Sequence, residues 1–202
     1  MLARAVVFDV SGVLEITPDL GIAGQWEARL GLAPGEIDQR LADVWTAGAV
    51  GTVTESEVHR ALGDRLALSL EEVDEFMAEL WREYLGTPNT ELIDYASTLH
   101  SRYRTGILSN SFVGAREREQ VVYGLADLVD VVVYSHEVGM AKPDPRIYAL
   151  TCQRLGVKPA ETVFLDDAEG HVTAAREAGI NAIHYRDTPQ AIADIEATLT
   201  VR

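Results

Sequence analysis

The chain has 202 residues, enough for one core with a small inserted second one, and a longer multidomain organisation is excluded. Hydrophobic residues make up 47 % and charged residues 24 %, ordinary for a globular chain and far from the composition of disorder. Seventeen lysines and arginines against 32 aspartates and glutamates leave a formal charge of −15, a surface that repels nucleic-acid backbones and anionic lipid, so neither is an expected partner.

In chain order, Ala5 to Phe8 is a short apolar run, rich in valine and ending in Asp9, the pattern of a strand buried on both faces. That stretch is too brief for a secretory h-region, and no run of about 18 apolar residues predicts a membrane span. With Cys152 the only cysteine, no internal disulfide or cysteine-based zinc cluster can form, and the expected compartment is a reducing, cytoplasmic one. From about Thr17 to Gly86 the pattern is helical: Thr54 with Glu57 and Ser69 with Glu72 fit capping boxes, and Leu30, Leu41, Trp45, Leu62, Leu66, Phe76, Leu80 and Trp81 supply apolar faces. About four helices are expected there, with Pro18 and the Gly86 to Pro88 neighbourhood as linkers. Strand-like runs follow at Thr105 to Leu108, Val129 to Tyr134, Thr162 to Leu165 and Asn181 to Tyr185. Between them Ala115 to Tyr123, Arg146 to Leu155 and Val172 to Ala178 carry helical spacing. Asp144-Pro145 and Thr188-Pro189 read as helix starts, and Gly156 and Gly179 as stops. Alternating strands and helices predict an α/β fold, a doubly wound parallel sheet with a small inserted helical unit. Residues 1–16 and 87–202 are expected to form the core and 17–86 the insert.

Three of the expected strands end in polar residues: Asp9, Ser109-Asn110-Ser111 and Asp166-Asp167. Ligands in open parallel sheets bind beyond the carboxyl ends of the strands, where the strand order reverses, so these groups are expected to converge. Lys142, in the loop after the third expected strand, Val129 to Tyr134, could reach the same place. Carboxylates brought that close either take up a proton or enclose a cation, and an all-oxygen ligand set favours a hard ion, most simply Mg²⁺. A magnesium ion beside a lysine and short hydroxyls is equipment for holding a phosphoryl group, and a carboxylate facing the phosphorus can attack it.

These residues carry a resemblance. Phe8-Asp9-Val10-Ser11-Gly12-Val13-Leu14, Leu108-Ser109-Asn110, Lys142-Pro143 and Phe164-Leu165-Asp166-Asp167 resemble, in order, the four motifs of the haloacid dehalogenase-like (HAD) hydrolases. The helical insert is similar to that family's cap placed after the first motif, so the resemblance covers nearly the whole chain. It implies a Rossmann-like core and a phosphatase of a small phosphorylated metabolite. Asp9 would be the nucleophile that forms an aspartyl-phosphate, and Ser109 and Lys142 would bind the transferring group, with Asn110 beside them in the second motif. Asp166, Asp167, Asp9 and the backbone carbonyl of Ser11 would hold the magnesium. Trp26, Trp45 and the Ala47 to Thr52 loop are candidates for substrate contact from the cap.

One departure matters. Family phosphatases usually carry a second aspartate two residues after the nucleophile, which protonates the leaving oxygen and later activates water; here that position is Ser11. A hydroxyl cannot do this near pH 7, and losing such assistance costs about 10² to 10⁴ in rate. Glu15, His59 and His136 are possible substitutes, which the sequence does not rank. His171, where relatives often carry asparagine, is a smaller departure, and the five scattered histidines read mainly as surface or packing residues. An alternative expectation is a nearly inert or non-catalytic HAD-like protein that binds a ligand or partner. A 2-haloacid dehalogenase is disfavoured by Ser11 and by the Asp166-Asp167 pair. The sequence leaves monomer and homodimer equally open.

Overall fold

The structure is a computed structural model that describes residues 2–200. Its centre is a five-stranded, all-parallel sheet in the order β5-β4-β1-β6-β7. The strands are β1 (Ala5–Phe8), β4 (Arg104–Ser109), β5 (Val131–Tyr134), β6 (Thr162–Asp166) and β7 (Asn181–His184). The two-residue strands β2 (Glu15–Ile16) and β3 (Thr87–Pro88) form a separate antiparallel ribbon. Successive β1 side chains serve opposite layers, as strand geometry requires. Val6 and Phe8 pack with Leu92 and Leu99 of α5 (Thr90–Leu99) and Ile195 of α11 (Thr188–Thr200). Ala5 and Val7 pack with Ile147 and Tyr148 of α9 (Pro145–Leu155) and Val172 of α10 (Glu169–Glu177). The chain leaves β1 for β4 and β5 on one side, then crosses to β6 and β7 on the other. The order therefore reverses at β1, and the crevice opens beyond the tips of β4, β1 and β6.

Between β2 and β3 lie four helices, α1 (Ile22–Leu30), α2 (Glu36–Ala49), α3 (Glu55–Leu66) and α4 (Leu70–Leu85). They bury a core of their own around Trp26, Leu41, Leu62 and Phe76. Both expected capping boxes form. The Thr54 and Ser69 hydroxyls accept the N–H of Glu57 and Glu72, whose carboxylates accept the Thr54 and Ser69 N–H in return. The remaining helices are α6 (Ala115–Tyr123), α7 (Leu125–Leu128) and α8 (Ser135–Val138). Asp144 and Pro145 begin α9 as expected. The start of α11 differs: Asp187 Oδ1 accepts the N–H of Gln190 at 2.8 Å. Thr188 instead hydrogen-bonds to Asn89 and Tyr185, a tertiary contact that outcompetes the local one.

Among the described residues no helix is long and apolar enough to cross a membrane.

Candidate active site

β1 ends in Phe8, and the next residue, Asp9, donates its N–H to Leu165 of β6 at 2.9 Å and remains 6 % exposed. Val10 N–H reaches Asp9 Oδ1 at 2.8 Å. Asp166, the last residue of β6, is fully buried. Lys142 arrives from the loop between α8 and α9, and its Nζ lies 2.8 Å from Asp9 Oδ1 and 2.6 Å from Asp166 Oδ2. A buried ammonium is tolerated only when paired, and here one cation answers two carboxylates. Burial pushes the Asp9 carboxyl up to about 7, against the pull of Lys142 and with the charge of Asp166 adding to it. Asp166 is held at about 2: burial acts upward there too, but His171, Lys142 and the Ala168 N–H outweigh it. Burial and charge therefore push the two carboxyls in opposite directions.

The backbone of Lys142 is itself clamped. Asn110 Nδ2 donates to its carbonyl at 2.9 Å, and its N–H donates to Asn110 Oδ1 at 2.7 Å. Asn110 thus positions the lysine, whatever else it touches. One residue earlier, at the tip of β4, the Ser109 hydroxyl is buried and has no hydrogen-bond partner among the described residues. A buried hydroxyl without a partner costs roughly 1–3 kcal/mol, so such a group calls for a ligand that completes it.

A cavity of about 400 Å³ opens on this cluster, lined by Asp9, Ser11, Gly12, Thr17, Asn110, Asp167 and His171, among others. Gly12 has a φ of +77°, a conformation only glycine adopts freely, and a Cβ there would collide with the Asp167 carboxylate. The loop after β1 and the acid after β6 thus approach as closely as they do because position 12 has no side chain. Asp9, Asp166 and His171 each offer a ligand atom within 4.8 Å of the others. Asp167, more exposed, lines the same cavity, and burial pushes its carboxyl upward. Clustered carboxylates, one of them pushed upward by burial, beside an unpartnered hydroxyl fit a hard divalent cation together with an anion.

His171, noted in the sequence only as a departure from asparagine and grouped with surface or packing histidines, lies in the cluster. Its Nδ1 lies 3.2 Å from Asp166 Oδ1, because the first turn of α10 follows directly on the acidic tip of β6. Its spacing of five residues from Asp166 was the available signal. Trp45 lines a neighbouring cavity. Trp26 does not: it is 2 % exposed, packs edge-on against Phe76 with centroids 5.1 Å apart, and donates its indole N–H to Glu79. The Ala47 to Thr52 segment is a docking contact with the sheet layer. Gly48 O accepts from Val113, Ala49 O accepts from Ser135, and Gly51 lies against the His136 carbonyl with no room for a Cβ.

Of the three substitutes for the missing acid, His59 sits in α3 beside Glu55 and Asp74, among the insert's own acids. His136 Nδ1 is engaged with the Ser111 hydroxyl at 2.6 Å. Glu15, 1 % exposed, stands next to Ser11. Its Oε2 accepts from Thr17 at 2.9 Å, and burial pushes it up to about 7 against the Thr17 and Ser11 hydroxyls.

A parallel sheet with acids and a lysine at the tips of β1 and β6, on the crevice side of the strand reversal, is the arrangement of a HAD-type hydrolase. The family model described as haloacid dehalogenase-like hydrolase matches residues 3–179, and the chain belongs to that family. Phosphatase MT3486 of Mycobacterium tuberculosis is 34 % identical over 192 residues, 90 % of this chain and 87 % of that protein. D-ribitol-5-phosphate phosphatase of Bacteroides thetaiotaomicron is 27 % identical, with 99 % and 98 % covered. Bifunctional epoxide hydrolase 2 of Sus scrofa is 29 % identical over the whole chain, which spans only 40 % of that protein's length. The HAD family enzyme bt-2542 of Bacteroides thetaiotaomicron, in complex with magnesium and inorganic phosphate, superposes with a TM-score of 0.77 at 22 % identity, covering 91 % of this chain and 94 % of that one. At that identity the likeness is one of fold.

Proposed function

We propose that the protein is a magnesium-dependent phosphatase of small phosphate monoesters, with residues 17–86 as a cap over a core formed by 1–16 and 87–202. The observation that carries this reading is the buried Lys142 Nζ between Asp9 and Asp166, with the unpartnered Ser109 hydroxyl one strand away. Both Val10 and Lys142 approach Asp9 Oδ1, so Oδ2 is the oxygen left to attack phosphorus. That step forms an aspartyl-phosphate as the bond from phosphorus to the ester oxygen breaks; the departing alkoxide takes a proton, and water then cleaves the acyl-phosphate to release phosphate. Ser109 donates to a phosphoryl oxygen, Lys142 offsets phosphoryl charge, and Asn110 keeps the lysine in place. Asp9, Asp166, Asp167 and the Ser11 carbonyl would hold Mg²⁺, which supplies positive charge to the phosphoryl oxygens when bound. The helices of the cap exclude water from the crevice.

Ser11 occupies the acid–base position without its chemistry, so turnover should depend steeply on the leaving alcohol, aryl esters reacting faster than alkyl ones. The test is phosphate release from a generic aryl phosphate. Release that requires Mg²⁺ and disappears in Asp9→Asn supports the reading; release that persists in excess chelator overturns it.

A further inference from the structure

Next to the charged cavity lies a second one of about 420 Å³, a volume typical of small-molecule sites. Thr17 and Asn110 line both, so the space adjoining a phosphoryl group in the first is the interior of the second. Its walls are Trp45 from α2, Phe76, Met77, Leu80 and Trp81 from α4, and Phe112 from the segment after β4. Phe112 packs edge-on against both Trp45 and Trp81, with ring centroids 5.9 and 6.4 Å apart.

The polar side chains along this wall are largely spoken for. Tyr84 donates its hydroxyl to Glu119, Glu83 accepts the N–H of Leu20 and Ile22, the Ser111 hydroxyl is engaged with His136, and Asn110 is bound to the Lys142 backbone. What is left among the described residues is the indole N–H of Trp81, buried without a partner, and that of Trp45, half-buried and likewise without one. Among the described residues no lysine or arginine lines the cavity, and Asp38 is exposed.

We infer that the organic part of the substrate is apolar: an alkyl or aryl alcohol esterified to a single phosphate, with at most two hydrogen-bond acceptors, one for each unpartnered indole, and no second anionic group. This deepens the proposed function and rests on it. A polyol brought here would leave several hydroxyls facing aromatic rings without partners, each at a cost in binding. A second phosphate or carboxylate would meet acidic side chains and no cation. The reaction is hydrolysis, alkyl phosphate plus water giving the apolar alcohol and inorganic phosphate.

Two measurements separate this inference from the reading beneath it. In the presence of Mg²⁺, calorimetry with straight-chain alkylphosphonates from ethyl to hexyl should show affinity rising about three- to fourfold per methylene, the value of a buried CH₂. A hydroxylated phosphonate of equal chain length should bind at least tenfold more weakly than its alkyl counterpart. A flat series, or tighter binding of the hydroxylated compound, overturns the inference. Leu80→Asp should flatten the series and Leu80→Met restore it; an unchanged slope in a folded Leu80→Asp also overturns it. Phosphate release from the matching alkyl phosphates is read separately. Turnover with a flat series removes the apolar substrate and leaves the phosphatase, whereas a steep series with no magnesium-dependent turnover removes the phosphatase and leaves the pocket.

Discussion

The two cavities that meet at Thr17 and Asn110 are built from different material. One is made of strand tips and loops, where each side chain is aimed by the sheet and charge is balanced by one cation, Lys142 against Asp9 and Asp166, with His171 hydrogen-bonded to Asp166. The other is made mostly of helix faces, where Phe76 and Trp81 both help hold the insert together and form the wall. Precise placement belongs to the first and shape to the second. Chemistry and selectivity should therefore separate under mutation.

The largest expected effect is that of Asp9→Asn. It keeps the size and hydrogen-bonding capacity of the side chain and removes the attacking oxygen, so magnesium-dependent phosphate release should fall by at least about 10³-fold. The chain-length dependence of alkylphosphonate binding should survive. If both were lost together, the two cavities would not be separable units.

Lys142→Ala comes next. It leaves Asp9 and Asp166 facing each other in a buried site with no countercharge, and breaking such an arrangement typically costs about 3–5 kcal/mol. Urea unfolding should show that loss, and added Mg²⁺ should recover part of it by supplying positive charge to the same carboxylates. A variant as stable as the wild type without metal would mean that the acids had simply taken up protons.

Much of this difference between the cavities was legible in the chain, and unequally so. β1 and α6 fall on the expected residues, because a valine run ending in aspartate and an apolar period ending at a glycine are local signals. β5 begins two residues later than expected, at Val131: Val129 is apolar and buried, but Asp130 is spent on the Thr105 N–H and Arg104. The acids of the charged cavity could be read because strand tips are where parallel sheets bind. His171 was misjudged because its partner acid is brought to it by the turn into α10. The apolar cavity was the least legible. Trp26 and Trp45 look alike in sequence, and only the packing of α1, α2 and α4 decides that one is interior and the other wall.

Ser11→Asp tests the border of the charged cavity. An aspartate there restores a proton donor for the leaving alkoxide, so alkyl esters should be cleaved about ten- to a hundredfold faster, part of what general acid catalysis supplies, and aryl esters should gain less. Initial rates on the two ester classes check this. An unchanged or lower rate on alkyl esters would mean that Ser11 is adapted to different chemistry or that another acid, with Glu15 the nearest, already serves.

The smallest effect concerns a charge on the apolar side of the molecule. Glu119 of α6 is 1 % exposed and is bonded by the hydroxyls of Tyr84, from α4, and Tyr134, from β5, so it ties the helical insert to the sheet. Burial raises its carboxyl above the usual 4.5, against the two tyrosine hydroxyls and Arg116, which favour the charged form without prevailing. A carboxyl raised on folding contributes stability that is complete below its ordinary value and is lost as pH climbs through its folded one. Glu119→Gln carries no such charge and keeps the shape of the side chain, its Oε1 accepting from one tyrosine hydroxyl and its Nε2 donating to the other. Thermal melts should therefore show the variant gaining on the wild type as pH rises from 4 to 8. A gain that shrank over that range would mean the tyrosines hold the carboxylate more firmly than burial disfavours it, and the contact between insert and sheet would then belong with the balanced charges of the first cavity.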